Sequence, residues 1–180
     1  MAYDLEQFCK DANAALTAEP GPEGREKIRE KLEELLKNKE FVDATCGPDA
    51  SVGVHTLYRD ADHDFVVLAH INDTPRVSPP HDHGTSWAIY GQATEYTHMR
   101  EYRRVDGKDG PGDAEIELAK EYRLEPGMAG SYPVGAIHSI DYPAGARFVR
   151  VTGTVLEEVD RLKFDMEGGK AEILQSQGVN

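Results

Sequence analysis

The period of the apolar residues changes once along this chain, near residue 50, and that change constrains the fold more than any other feature. Before it, Leu5, Phe8, Cys9, Ala12, Ala15 and Leu16 fall on one stripe at helical spacing, and so do Ile28, Leu32, Leu35 and Leu36. The first set predicts a helix over 4–18 and the second a helix over 23–39, separated by Pro20-Gly21-Pro22. From Ser51 the period is two. Strands are expected over 51–59, 65–72, 81–91, 93–105, 114–124, 130–132, 137–141 and 147–156. Turns are expected at 60–64 and 106–113, and a loop holding three prolines over 73–80. Short strands with turn residues between them predict a closed all-β architecture with two helices packed outside it. The expected organisation is one domain of 180 residues: a helical region over 1–48, a β-barrel over 50–156, and a charged tail over 157–180 that the pattern does not place.

The formal net charge of −13 argues against nucleic acid or an anionic membrane as a partner. It also means that an anionic ligand needs a local positive site. No apolar run is long enough to span a bilayer, and the first residues lack a basic region followed by an apolar one. The protein is expected to be soluble and cytoplasmic. Cys9 and Cys46 form no CxxC pair and are expected to be reduced and structural.

Chemistry concentrates in Pro79-Pro80-His81-Asp82-His83-Gly84-Thr85-Ser86-Trp87. On a strand, His81 and His83 share a face, so both imidazoles can reach one metal ion. The same residues also suit a surface turn after a Pro-Pro breaker. A second stretch, from Gly127 to His138, supplies a third histidine after the turn Pro133-Val134-Gly135.

Together these stretches resemble the two motifs of the cupin superfamily: His-x-His, then Gly, five residues, Pro-x-Gly, two residues and His. The second motif matches at each fixed position through His138. Tyr142 stands where the pattern has Asn. The resemblance covers roughly residues 50–155. It implies a double-stranded β-helix, or jelly-roll barrel, and a metal held by His81, His83 and His138. Many cupins add a glutamate four or five residues after the second histidine. Here those positions are Trp87 and Ala88, so no carboxylate ligand is expected. Glu95 is read as an ordinary strand carboxylate, beyond a turn expected at Gly91. His70, on the neighbouring strand, is read as a structural histidine.

Three neutral imidazoles leave a divalent ion its full charge and favour anionic incoming ligands. An all-histidine face resembles that of the thiol dioxygenases, the cysteine and 3-mercaptopropionate dioxygenases. Pro80-His81-Asp82-His83 and Trp87-Ala88-Ile89-Tyr90-Gly91 are similar to their metal strand, and Tyr58-Arg59 to the segment whose arginine clamps the substrate carboxylate. The resemblance implies Fe(II), with Zn, Ni, Mn or Cu as alternatives, and a small anionic thiol and O₂ as partners. The product would be a sulfinate. It implies Arg59, Trp87 and Arg150 as substrate-binding residues. Arg59 also reads as a solvated strand end.

There are departures. The family's Ser-x-His-x-Tyr relay falls on Phe148, Arg150 and Thr152, and its crosslinking cysteine on Ala88. Arg150 reads either as a fixed cation replacing the relay histidine or, by alternation with Val149 and Val151, as an outward residue. A cupin of non-oxidative activity, or a small-anion binding module, is the alternative function.

Overall fold

The computed structural model describes residues 3–174. Three helices come first: α1 (Leu5–Ala18), α2 (Pro22–Leu36) and α3 (Lys39–Cys46). Asp4 caps α1, its carboxylate accepting from the Gln7 N–H at 2.9 Å. Pro22 occupies the first position of α2, where its missing N–H costs no helical hydrogen bond. The second expected helix overran its end. Asn38 instead starts α3, its side chain accepting from the N–H groups of Glu40 and Phe41. A short turn with a good cap splits one helical pattern into two elements, so the helices number three, not two.

The strands follow: β1 (Gly53–Arg59), β2 (Val66–Ile71), β3 (Arg76–Val77), β4 (Ala88–Thr94), β5 (Thr97–Arg104), β6 (Gly112–Asp113), β7 (Ile116–Leu124), β8 (Ala129–Tyr132), β9 (Ile137–Tyr142), β10 (Arg147–Thr152), β11 (Arg161–Asp165) and β12 (Lys170–Leu174). They form a five-stranded sheet β1-β2-β10-β4-β8, a four-stranded sheet β3-β9-β5-β7 and a three-stranded sheet β11-β12-β6. All the pairings are antiparallel. The two larger sheets face each other across a core built from Ala88, Tyr90, Met99, Leu124, Tyr132, Tyr142 and Phe148. This is a jelly-roll barrel with helices outside, the expected all-β class.

The central strands of the five-stranded sheet, β2, β10 and β4, are largely buried on both faces. Val67, Ala69, Ile89, Val149 and Val151 point outward into a second core with Phe8, Ile28, Leu32, Leu35 and other helix residues. Gly91 is a point of close approach between helix and sheet. A Cβ there would stand 2.7 Å from Leu32 Cδ2 and from Leu36 Cδ1. Gly91 therefore lies within β4 and does not turn the chain. The crossing to the other sheet comes at Glu95, an exposed residue with φ of 55°. The tail that the pattern left unplaced forms the β11–β12 hairpin over 161–174, which pairs with β6 and meets β9 through the two bridges of His81; residues 175–180 lie outside the described residues. No helix among the described residues is long and apolar enough to cross a membrane.

Candidate metal centre

The strand expected over 81–91 begins only at Ala88. The segment before it is held at its start as an isolated bridge: His81 pairs with His138 on one side and with Lys163 on the other. His81 and His138 exchange backbone hydrogen bonds, N to O, at 2.9 Å each way. On the other flank, Asp82 N–H donates to Leu162 O at 2.9 Å and Phe164 N–H to Pro80 O at 2.8 Å. The Asp82 carboxylate closes the turn by accepting from Gly84 N–H at 2.9 Å and Leu162 N–H at 2.8 Å. Gly84 has φ of +60°, and a Cβ there would meet Asp160 O at 2.1 Å, so glycine is required on both counts. The histidine segment is thus clamped between β9 and the tail hairpin.

The clamp makes three imidazoles converge. The potential ligand atoms of His81, His83 and His138 all lie within 4.8 Å of one another, and no carboxylate joins them among the described residues. His83 and His138 are buried, while His81 is partly exposed and opens the cluster to solvent. The Nε2 atoms of His83 and His138 stand 3.2 Å apart. Two ligand nitrogens bound to one ion at about 2.1 Å are about 3.0–3.4 Å apart at octahedral to tetrahedral angles. His81 Nδ1 sits 2.9 Å from Pro79 O. A carbonyl only accepts, so Nδ1 carries the proton and Nε2 keeps its lone pair, the arrangement that orients a metal-binding imidazole. Burial, the first cause in each case, holds all three below the ordinary imidazole pKa, with His83 brought down to about 2. Neutral, preoriented imidazoles suit a divalent metal.

The interior face of the barrel surrounds this cluster. Tyr90 Oη lies 3.4 Å from His83 Nε2, and the Tyr132 ring packs 4.7 Å from that of His138. Glu101 is the cross-strand partner of His138 on β5, but its carboxylate is engaged by Tyr122 Oη at 2.7 Å. Tyr122 Oη is in turn 2.7 Å from Tyr132 Oη. Burial raises the pKa of both tyrosines, so both hydroxyls are protonated. His70 stacks on Phe148 at 4.6 Å, and its Nε2 has no partner.

Arg150 faces this interior. It shares a face of β10 with Phe148 and Thr152, and pairs across to Tyr90 on β4 and Leu68 on β2. Its Nε is buried without a hydrogen-bond partner. Its charge contributes to the lowered pKa of His70, His81, His83 and His138 alike. Alternation had turned Arg150 outward because Val149 and Val151 read as core. They are core, but of the helix-facing layer, so the opposite face of β10 is the barrel interior.

The other two expected ligand contacts are corrected. Arg59 is half-exposed at the end of β1, where Asp64 Oδ1 takes its Nε at 3.1 Å and one of its terminal amines at 2.7 Å. With that fork occupied and Glu158 also nearby at 3.8 Å, Arg59 is not brought to the histidines. Trp87 packs in the helix-facing core, stacked over Gly153 so closely that a Cβ there would lie 2.6 Å from its Nε1. The structure does add Arg161, which sequence reading missed because the tail carried no motif. Its charge contributes to the lowered pKa of His81 and His83. The signal available was only the alternation of Arg161, Lys163 and Asp165 against Leu162 and Phe164.

No family model matches the chain, and no curated protein sequence does. Solved structures do resemble it in part. KdgF from Halomonas sp. superposes with a TM-score of 0.41 and 16% identity, over 55% of this chain and 74% of that one. The Schizosaccharomyces pombe Cnp3 cupin domain gives a TM-score of 0.44 and 10% identity, over 60% and 71%. The DMSP lyase DddQ from Ruegeria pomeroyi DSS-3 gives 0.39 and 13%, over 71% and 53%.

Proposed function

We propose that this chain is a metal-dependent cupin that oxidises a small thiol carboxylic acid to its sulfinate with O₂. The observation that carries this reading is one arrangement: three neutral imidazoles converge without a carboxylate, and Arg150, partly buried and with its Nε unpartnered, faces them. His81, His83 and His138 would hold the metal, with Fe(II) the expected ion. When bound, that ion supplies a positive site for a thiolate and, as iron, the redox chemistry that O₂ requires.

The protein's own residues supply the rest. Arg150 occupies the position of the relay histidine in the thiol dioxygenases and offers a permanent cation to the substrate carboxylate. Tyr90 and Phe148 wall the interior and exclude water. The pair Tyr122–Tyr132, anchored on Glu101, fixes the ring that packs against His138. Arg59 takes no part in this arrangement, and the anion-binding role passes from β1 to β10.

One observation favours a non-oxidative activity on the same centre. Phe148 and Thr152 replace the outer members of the relay, and Thr152 Oγ1 is engaged with Thr154 O at 2.7 Å. The experiment that separates the two is O₂ consumption by iron-loaded protein on cysteine, 3-mercaptopropionate and mercaptosuccinate. Uptake above a metal-free blank, with matching sulfinate, supports oxidation. No uptake on any of the three rejects it and leaves a metal-dependent activity without O₂.

A further inference from the structure

The cations around the three histidines have no acidic partners. Arg150 and Arg161 form no hydrogen bond and no ion pair through their side chains among the described residues, and the Nε of each is buried without a partner. In this chain of net charge −13, Arg29, Arg59, Arg100, Arg103 and Arg104 each hold a carboxylate. Both residues are partly buried, and a buried N–H that finds no acceptor is costly.

The two arrive from different sides. Arg150 projects from β10 of the five-stranded sheet, opposite Tyr90. Arg161 comes from the tail. The bridge between His81 and Lys163 is antiparallel, and Arg161, two residues before Lys163 on β11, lies on the same face of that strand. Residues opposite one another in an antiparallel pair project to the same face. Arg161 and Lys163 therefore lie on the face that carries His81. The Arg161 side chain also runs beside Gly84, its Cγ 3.7 Å from where a Cβ of that glycine would be.

We propose that Arg150 and Arg161 form a two-armed anion clamp beside the three histidines, and that the ligand of this site is a dicarboxylate, with one carboxylate for each guanidinium. A single carboxylate uses one guanidinium fork and leaves the buried Nε of the other arginine without an acceptor. A second carboxylate satisfies both. The tail hairpin is then part of the binding site, since Asp82 ties Leu162, the neighbour of Arg161, to the histidine segment. This deepens the reading of the preceding subsection by naming the substrate class, and it rests on that reading only in taking the three-histidine centre as the place of binding.

The test is equilibrium binding to the full chain loaded with zinc, which does not react with O₂. Titration calorimetry with succinate and propionate should show succinate at least tenfold tighter. Arg161→Gln should reduce that preference to less than threefold, mainly by weakening succinate, and Arg161→Lys should restore part of it. Arg150→Gln should weaken both acids if it carries the carboxylate they share. Equal affinity for succinate and propionate in the wild type overturns the proposal, as does an unchanged preference in Arg161→Gln. Inorganic phosphate binding more tightly than succinate also overturns it, in favour of a tetrahedral anion. If Arg161→Gln fails to fold, Arg161→Lys and the wild-type comparison still decide. Succinate preference without O₂ uptake on any thiol leaves the clamp standing and removes oxidation. O₂ uptake on 3-mercaptopropionate without succinate preference does the reverse.

Discussion

His81 and His138 are joined through their main chains: each donates its N–H to the other's carbonyl at 2.9 Å. The side chains are thereby free to turn toward a common point without being needed to hold the strands together. The double substitution His81→Ala, His83→Ala should therefore abolish metal retention while the far-ultraviolet circular dichroism of the barrel is kept. Metal analysis after dialysis against buffer without chelator checks the first, and the spectrum the second. A variant that still retains one equivalent of metal would place the ion elsewhere.

Glu95 separates ligand from turn. It is exposed and sits at φ of 55°, in the left-handed region. A left-handed conformation costs a non-glycine residue about 1–2 kcal/mol. Glu95→Gly should leave metal content unchanged and raise stability by up to about 1 kcal/mol in urea unfolding. Loss of metal in this variant would mean that the carboxylate reaches the centre after all.

Gly91 carries the contact between sheet and helices. A methyl group there meets Leu32 Cδ2 and Leu36 Cδ1 at 2.7 Å, and both leucines are themselves buried. Overpacking of this kind typically costs about 1–3 kcal/mol. Gly91→Ala should show a loss of that size in urea unfolding, with an unchanged m-value if the helices stay docked. An unaltered midpoint would show that the two leucines can retreat freely.

Much of this was legible in the residues, and the failures have physical causes. Helix stripes and alternating strands gave the element order because each has an apolar face with its own period. The resemblance to the two cupin motifs pointed to His81, His83 and His138, and the fold brings those three imidazoles together. Arg150 was ambiguous because alternation distinguishes two faces but does not say which face is the barrel interior. With helices covering β10, Val149 and Arg150 are both directed inward, toward different cores. Gly91 was misread for a related reason: a glycine in a strand can mark a turn or a close approach, and only packing distinguishes them. Arg161 had no local signal, since its place depends on the bridge between Lys163 and His81, a contact distant in sequence.

The correction at Arg59 is itself testable. Its guanidinium is held by Asp64 at the surface, and an exposed ion pair contributes little. Arg59→Ala should leave the affinity of the zinc-loaded protein for carboxylates unchanged, whereas Arg150→Ala should weaken it about tenfold or more, the usual consequence of losing a charge-assisted partner. Calorimetric titration of both variants with one acid decides between them. A weakened Arg59→Ala with a silent Arg150→Ala would return the clamp to β1.

His70 gives the metal-free protein a dependence on pH whose sign is fixed. Burial first, then the charges of Arg150 and Arg76, hold its pKa well below 6.5 in the fold. The unfolded chain, with an ordinary imidazole, therefore binds more protons below pH 6.5, and stability must fall as the pH drops through that value. Above it the imidazole is neutral in both states and contributes no slope. Each such imidazole steepens the fall by up to about 1.4 kcal/mol per pH unit. His81, His83 and His138 are shifted in the same direction, so four groups act together between about pH 5 and 6.5, above the range in which carboxylates titrate. His70→Leu should remove one share of that slope while leaving the three clustered imidazoles in place. Urea unfolding of metal-free wild type and variant at half-unit steps from pH 5 to pH 8 measures it. Parallel curves would mean that the His70 ring is solvated and titrates normally, and that its stacking on Phe148 does not shield it from water.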